Sequence, residues 1–95
     1  MRDYEVMTIH RPELAEDEVE ARITDLESHL SGQGATVGGR DLWGKRRFAY
    51  EIDHISEGYY SVVTFQAEAA AVDSLDRLLS LADEVVRHKI VRKGA

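Results

Sequence analysis

Two hydrophobic periods alternate along this chain, and the changes between them divide it into six elements. Tyr4 to His10 alternates imperfectly, with Tyr4, Val6 and Thr8 on one side and Met7 and Ile9 on the other. Apolar residues on both sides predict a central strand. Pro12, which lacks an amide donor, ends it. From Glu13 to Leu30 the residues Val19, Ile23, Leu26 and Leu30 recur at helical spacing and form one apolar stripe. Acidic first turns suit the positive end of that helix, and Gly32 and Gly34 supply a stop. Ala35 to Ile52 reads as a long second strand and Tyr59 to Ala67 as a third. The turn-rich Asp53–Gly58 joins them as an antiparallel hairpin. Glu68 to Ala82 is a second helix on the stripe Val72, Leu75, Leu79 and Ala82. Val85 to Arg92 is a fourth strand, and Lys93 to Ala95 is expected to fray.

The second strand changes phase along its length. Val37 and Trp43 are odd-numbered, whereas Phe48, Tyr50 and Ile52 are even-numbered. A one-residue slip turns the core face of a strand out to solvent, so a bulge or bend at Gly44 is the economical explanation. Lys45, Arg46 and Arg47 follow that bend directly.

The order strand, helix, strand, strand, helix, strand predicts two right-handed split crossovers. These give an α+β fold of ferredoxin-like architecture, a four-stranded antiparallel sheet with two helices on one face. The whole of residues 1–95 forms one domain. The usual spatial order is fourth, first, third, second, which leaves the second strand on an edge. One core between sheet and helices is expected from Val6, Val19, Ile23, Leu26, Leu30, Val37, Phe48, Val63, Phe65, Leu75, Leu79 and Ile90.

Composition narrows the function classes. Cysteine is absent, which excludes disulfides and thiolate metal sites. No apolar run approaches the roughly 18 residues of a membrane span. The opening Met-Arg-Asp-Tyr-Glu is not that of a signal peptide, so the cytoplasm is the expected location. A net charge of −6 has the wrong sign for coating phosphate by bulk electrostatics. The charges are unevenly placed, however. Acidic residues crowd the first helix. Cations cluster at Arg40 to Arg47 and again at Arg87 to Lys93. Nucleic-acid contact is therefore expected to be local, with the acidic helix turned away.

Catalytic constellations with specific spacing are missing. His10, His29, His54 and His88 show no His-x-x-x-His pattern, so no metal site is expected. The carboxylates fall on predicted helix surfaces and loops, without the apolar wall that a general acid requires. Gly38-Gly39 is not followed by the Gly-Lys-Ser/Thr of a phosphate loop, and no serine sits on a nucleophile elbow. No enzyme activity, cofactor, membrane contact or small-molecule substrate is expected.

The cation block admits three readings. Its charges can guard an edge strand against self-pairing. They can pair with a protein that covers the edge, a reading favoured by Trp43, since an aromatic beside arginines is a common interface anchor. They can also contact phosphate.

Trp43-Gly44-Lys45-Arg46-Arg47-Phe48-Ala49-Tyr50-Glu51-Ile52 resembles the signature of the bacterial small-subunit ribosomal protein S-six family. Glu51 stands where many members have proline. The opening Met1-Arg2-x-Tyr4-Glu5-Val6, Pro12 after the first strand, and Glu57-Gly58-Tyr59-Tyr60 at the third extend the resemblance across nearly the whole chain. The resemblance implies a structural constituent of the small ribosomal subunit. Such a protein binds the central domain of 16S ribosomal RNA as a heterodimer with ribosomal protein S-eighteen. It implies partner-protein contact around Asp41, Trp43, Arg46 and Arg47, and RNA contact at Arg2, Arg87, Lys89 and Arg92. The alternatives are a homodimeric interaction module using the same edge and a ferredoxin-like small enzyme or ligand-binding domain of the dimeric monooxygenase type. The enzyme would need a pocket between sheet and helices with convergent polar groups.

Overall fold

The structure, a computed structural model, describes residues 1–94. Its elements are β1 (Arg2–His10), α1 (Glu16–Gly32), β2 (Thr36–Ile52), β3 (Ile55–Ala67), α2 (Ala69–Leu81) and β4 (Val85–Arg92). The four strands form one antiparallel sheet in the order β2-β3-β1-β4. That is the expected fold, with β2 on an edge. Of the tail expected to fray, Ala95 lies outside the described residues. Lys93 extends the pairing by one bond, its N–H donating to Asp3 O at 2.8 Å.

Local chemistry moves several element ends. Pro12 and Glu13 are taken up in a turn closed by the Leu14 N–H on Arg11 O, so α1 begins at Glu16 instead of Glu13. The Glu18 carboxylate accepts the Ala15 N–H at 2.8 Å and satisfies one free donor at that end. Gly32 does not stop the helix. The stop is Gly34, at φ +84°, where Ala35 N–H reaches Leu30 O and Gly34 N–H reaches Ser31 O. This paired arrangement is a Schellman cap, which favours glycine at its left-handed position. The connection expected over Asp53–Gly58 is far tighter. Ile52 pairs with Ile55, and only Asp53 and His54, both at positive φ, make the turn.

Helices and sheet enclose one core. Ile23, Leu30 and Leu75 are fully buried in it with Val6 and Val63, and Val37 and Ile90 pack at its margin. Phe48, expected in this core, is not part of it. Its ring lies edge-on to Tyr60 at 6.0 Å, on the face away from the helices. The reason is a second bulge. The β2–β3 register slips once between Val37 and Gly39 and again between Leu42 and Gly44. Two slips restore the original parity, so even-numbered residues after Gly44 point away from the core. Gly44 itself sits at φ +82°, in keeping with the predicted distortion there.

Candidate functional site on the open face of the sheet

Residues that alternate with the core positions form a second face that no helix covers. The register aligns them in transverse rows. One row runs Asp41, Val62, Met7, Lys89 across all four strands. The next runs Gly44, Tyr60, Ile9, Arg87. Adjacent strands lie about 4.8 Å apart, so each row spans roughly 15 Å.

Trp43, extruded at the second bulge, lies over this face. Its ring stacks on Tyr60 with centroids 6.1 Å apart and planes 7° from parallel. The Arg46 guanidinium lies 5.8 Å from the indole centroid. Trp43 remains 42% exposed. A shallow cleft of about 250 Å³ is lined by Trp43, Asp41, Met7, Val62 and Lys89, with Glu5 and Val91 at its margin. A second of about 340 Å³ is lined by Phe48, Tyr50, Ile52, Tyr60 and Arg87. Tyr50 stands 79% exposed where residues 48–51 of β2 bow out opposite a single β3 residue.

The structure regroups the residues singled out from sequence. Asp41, Trp43 and Arg46 line one depression on the β2 edge. Arg47 does not join them, because it pairs opposite Glu57 and points to the other side of the sheet. The four cations assigned to RNA separate into two pairs. Arg87 and Lys89 belong to the open face. Arg2 and Arg92 sit opposite Ala67 and Tyr4, on the helix-covered side, at the end of the sheet where β1 begins. Sequence reasoning missed Met7, Tyr60 and Phe48 as components of an exposed surface. The signal was there in the apolar residues on both sides of β1 and β3.

Other polar groups serve the fold. Arg40 clamps β2 to α1 through Glu27 and Thr24, and the hydrogen bond to Glu27 raises its pKa. His10 is 2% exposed, its Nδ1 has no hydrogen-bond partner, and burial lowers its pKa. It borders a cleft of about 180 Å³ between sheet and helices, with Arg22, Asp25 and Glu84. That volume is below the 300–1,000 Å³ typical of ligand sites. Among the described residues, no group of His, Asp or Glu is disposed to hold a metal ion, and no helix is long and apolar enough to cross a membrane.

Fold and site together describe a ferredoxin-like scaffold with an aromatic, mixed-charge sheet face opposite its helices. Residues 3–92 match the family model for ribosomal protein S6, and the chain belongs to that family. It is 48% identical to small ribosomal subunit protein bS6 of Desulforamulus reducens, covering 99% of both chains. With the bS6 of Carboxydothermus hydrogenoformans it shares 46% identity over 98% of this chain and 97% of that one. The crystal structure of 30S ribosomal protein S6 from Thermotoga maritima superposes with a TM-score of 0.92 at 27% identity, covering 97% of this chain and 87% of that one. The C-terminal domain of MgtC from Mycobacterium tuberculosis, at 22% identity and a TM-score of 0.59 over 97% of this chain and 87% of that one, shares the fold alone. Family membership makes the chain a structural component of the small ribosomal subunit in the cytoplasm, and not an enzyme.

Proposed function

We propose that the chain acts in the small subunit as one half of a heterodimer with ribosomal protein S-eighteen, and that this heterodimer binds the central domain of 16S ribosomal RNA. The protein contact is made through Asp41, Trp43 and Arg46. The RNA contact includes Arg2 and Arg92. The observation that carries this reading is the convergence of a carboxylate, an indole and a guanidinium in one depression on an unpaired sheet edge. Aromatic and arginine anchors of this kind dominate protein interfaces. The net charge of −6 fits the same division of labour, since the chain alone has few cations to offer phosphate. The test is a titration of a 16S central-domain RNA fragment with this chain, with S-eighteen, and with both. Tight binding only by the pair supports the reading. Equal binding by the lone chain overturns it.

A further inference from the structure

We propose that the cleft where β1, α1 and the α2–β4 connection meet receives a lysine side chain from a basic segment of a second protein. This site lies on the helix side of the sheet, away from the heterodimer contact, and does not depend on it. The cleft, about 180 Å³, has apolar walls in Leu26, Leu78 and Leu79, and its polar groups include His10, Asp25 and Glu84. It is too small for a drug-sized ligand but accommodates one long side chain. Glu84 is half-buried, yet it has no cation within ion-pair distance among the described residues. The nearby cations are engaged elsewhere. Arg22 is held by Asp25 at 3.2 Å, and Arg11 donates its Nε–H to the Asp83 carbonyl at 2.6 Å. Helix α2 ends at this cleft without a basic residue in its last turn, so the negative end of its dipole is uncompensated. His10 is buried with Nδ1 unpartnered. Burial lowers its pKa, so the ring is neutral at neutral pH and brings no positive charge to the cleft.

The chemistry of the cleft selects its occupant. Asp25 and Glu84 repel a phosphate or a carboxylate. A purely apolar side chain would desolvate Glu84 and leave the imidazole nitrogen unpaired. A lysine satisfies both requirements. Its four-carbon stem lies along the leucines, and its ammonium carries three donors for Glu84 and a neutral imidazole nitrogen. The surroundings favour a protein segment over a free polyamine. Leu78 and Leu81, near the end of α2, are exposed and offer apolar contact to the residues that flank the lysine. A polyamine, charged every few atoms along its length, gains nothing from them. The acidic residues of α1, Glu16, Asp17, Glu18 and Glu20, supply a matching field for further cations of the segment.

The test is an NMR titration of the isotope-labelled full chain with a capped pentalysine peptide. The His10 ring and the Leu78 and Leu79 methyls should shift, and Glu84→Gln should weaken binding by about tenfold. Ala82→Leu, which fills the cleft and leaves every charge in place, should weaken it as much. Glu20→Gln removes the same charge from the exposed side of α1, outside the cleft, and should change affinity by less than about twofold. A thermal melt verifies that the variants fold. Should Ala82→Leu fail to fold, Leu78→Ala, which removes an exposed wall, should weaken binding in its place. Equal losses in Glu84→Gln and Glu20→Gln, with none in the cleft-filling variant, would mean diffuse attraction to an acidic surface and overturn the proposal. A titration that leaves the His10 ring unmoved would overturn it too. Spermidine binding as tightly as the peptide, with the same shifts, would overturn the assignment to a protein segment. The titration uses this chain alone, so its result is separate from any binding of S-eighteen or RNA.

Discussion

His10 is buried with Nδ1 unpartnered at the corner where β1, α1 and the α2–β4 connection meet. Desolvation lowers its pKa, opposed by nearby Glu84 and reinforced by Arg22. The folded state thus binds a proton less readily than the unfolded chain. Its contribution to stability is complete above the unfolded value of about 6.5 and is lost as pH falls through the lower folded value. Urea denaturation between pH 7.5 and 5 should show this loss in the wild type and a smaller one in His10→Leu. An NMR titration placing the His10 pKa at or above 6.5 would contradict the account. Gly58 is constrained by space. A Cβ there would come 2.7 Å from Ile9 Cγ2 and 2.8 Å from His10 O. Backbone cannot yield cheaply, so Gly58→Ala should cost about 1–3 kcal/mol, measured by the same denaturation. An effect within about 0.5 kcal/mol would mean that the hairpin does not press on β1 there.

At the scale of elements, β2 decides the behaviour of the molecule. It is a long edge strand broken by three register shifts. Bulges and cations are both devices against edge-to-edge pairing. Strand alternation puts Lys45, Arg46 and Arg47 on different sides of the sheet. Arg46 faces the open side of the sheet, while Lys45, over the Tyr59 ring at 5.1 Å, and Arg47 face the other way. Lys45→Val with Arg47→Val should therefore promote self-association, seen by light scattering, while binding of S-eighteen persists. Loss of that binding in a monomeric variant would place these side chains in the interface. The tip of the hairpin carries a different strain. Asp53 and His54 hold φ of 49° and 67°, a conformation that favours Asn-Gly at such turns. His54→Gly should raise stability by about 0.5–1 kcal/mol, the relief of a left-handed β-carbon less the added freedom of the unfolded chain. A destabilised variant would show that the His54 side chain contributes more than the strain costs.

The whole molecule carries a net charge of −6, and its acidic α1 and its cationic sheet margins are separate surfaces. Few cations can reach phosphate at once. RNA affinity of the heterodimer should fall with a slope of about 0.7–0.9 per phosphate contact on a log–log salt plot, and this chain's share is read by comparing Arg2→Gln with the wild type. Loss of one contact should lower the slope by about that amount. An unchanged slope would remove Arg2 from the RNA.

The element order, the core stripe of α1, Leu75 and Leu79 of α2 and the distortion at Gly44 were legible in the chain, because each is written in local periodicity, whereas the edge position of β2 followed from the usual strand order of the architecture and the buried Ala71 was missed. Side-chain period and turn chemistry act over a few residues and leave a direct trace. The family signature around Trp43 to Ile52 was equally local. The second bulge was not legible, because nothing in Gly38-Gly39 says that the pairing slips there. Whereas the grouping of Arg46 with Arg47 came from the family resemblance, which does not register that neighbouring strand residues point to opposite sides, one uncounted slip put Phe48 on the core face. The transverse rows were beyond reach for the same reason. That Asp41, Val62, Met7 and Lys89 stand in one line is a property of strand register. Register is fixed by pairing between segments far apart in sequence, and only the folded sheet decides it.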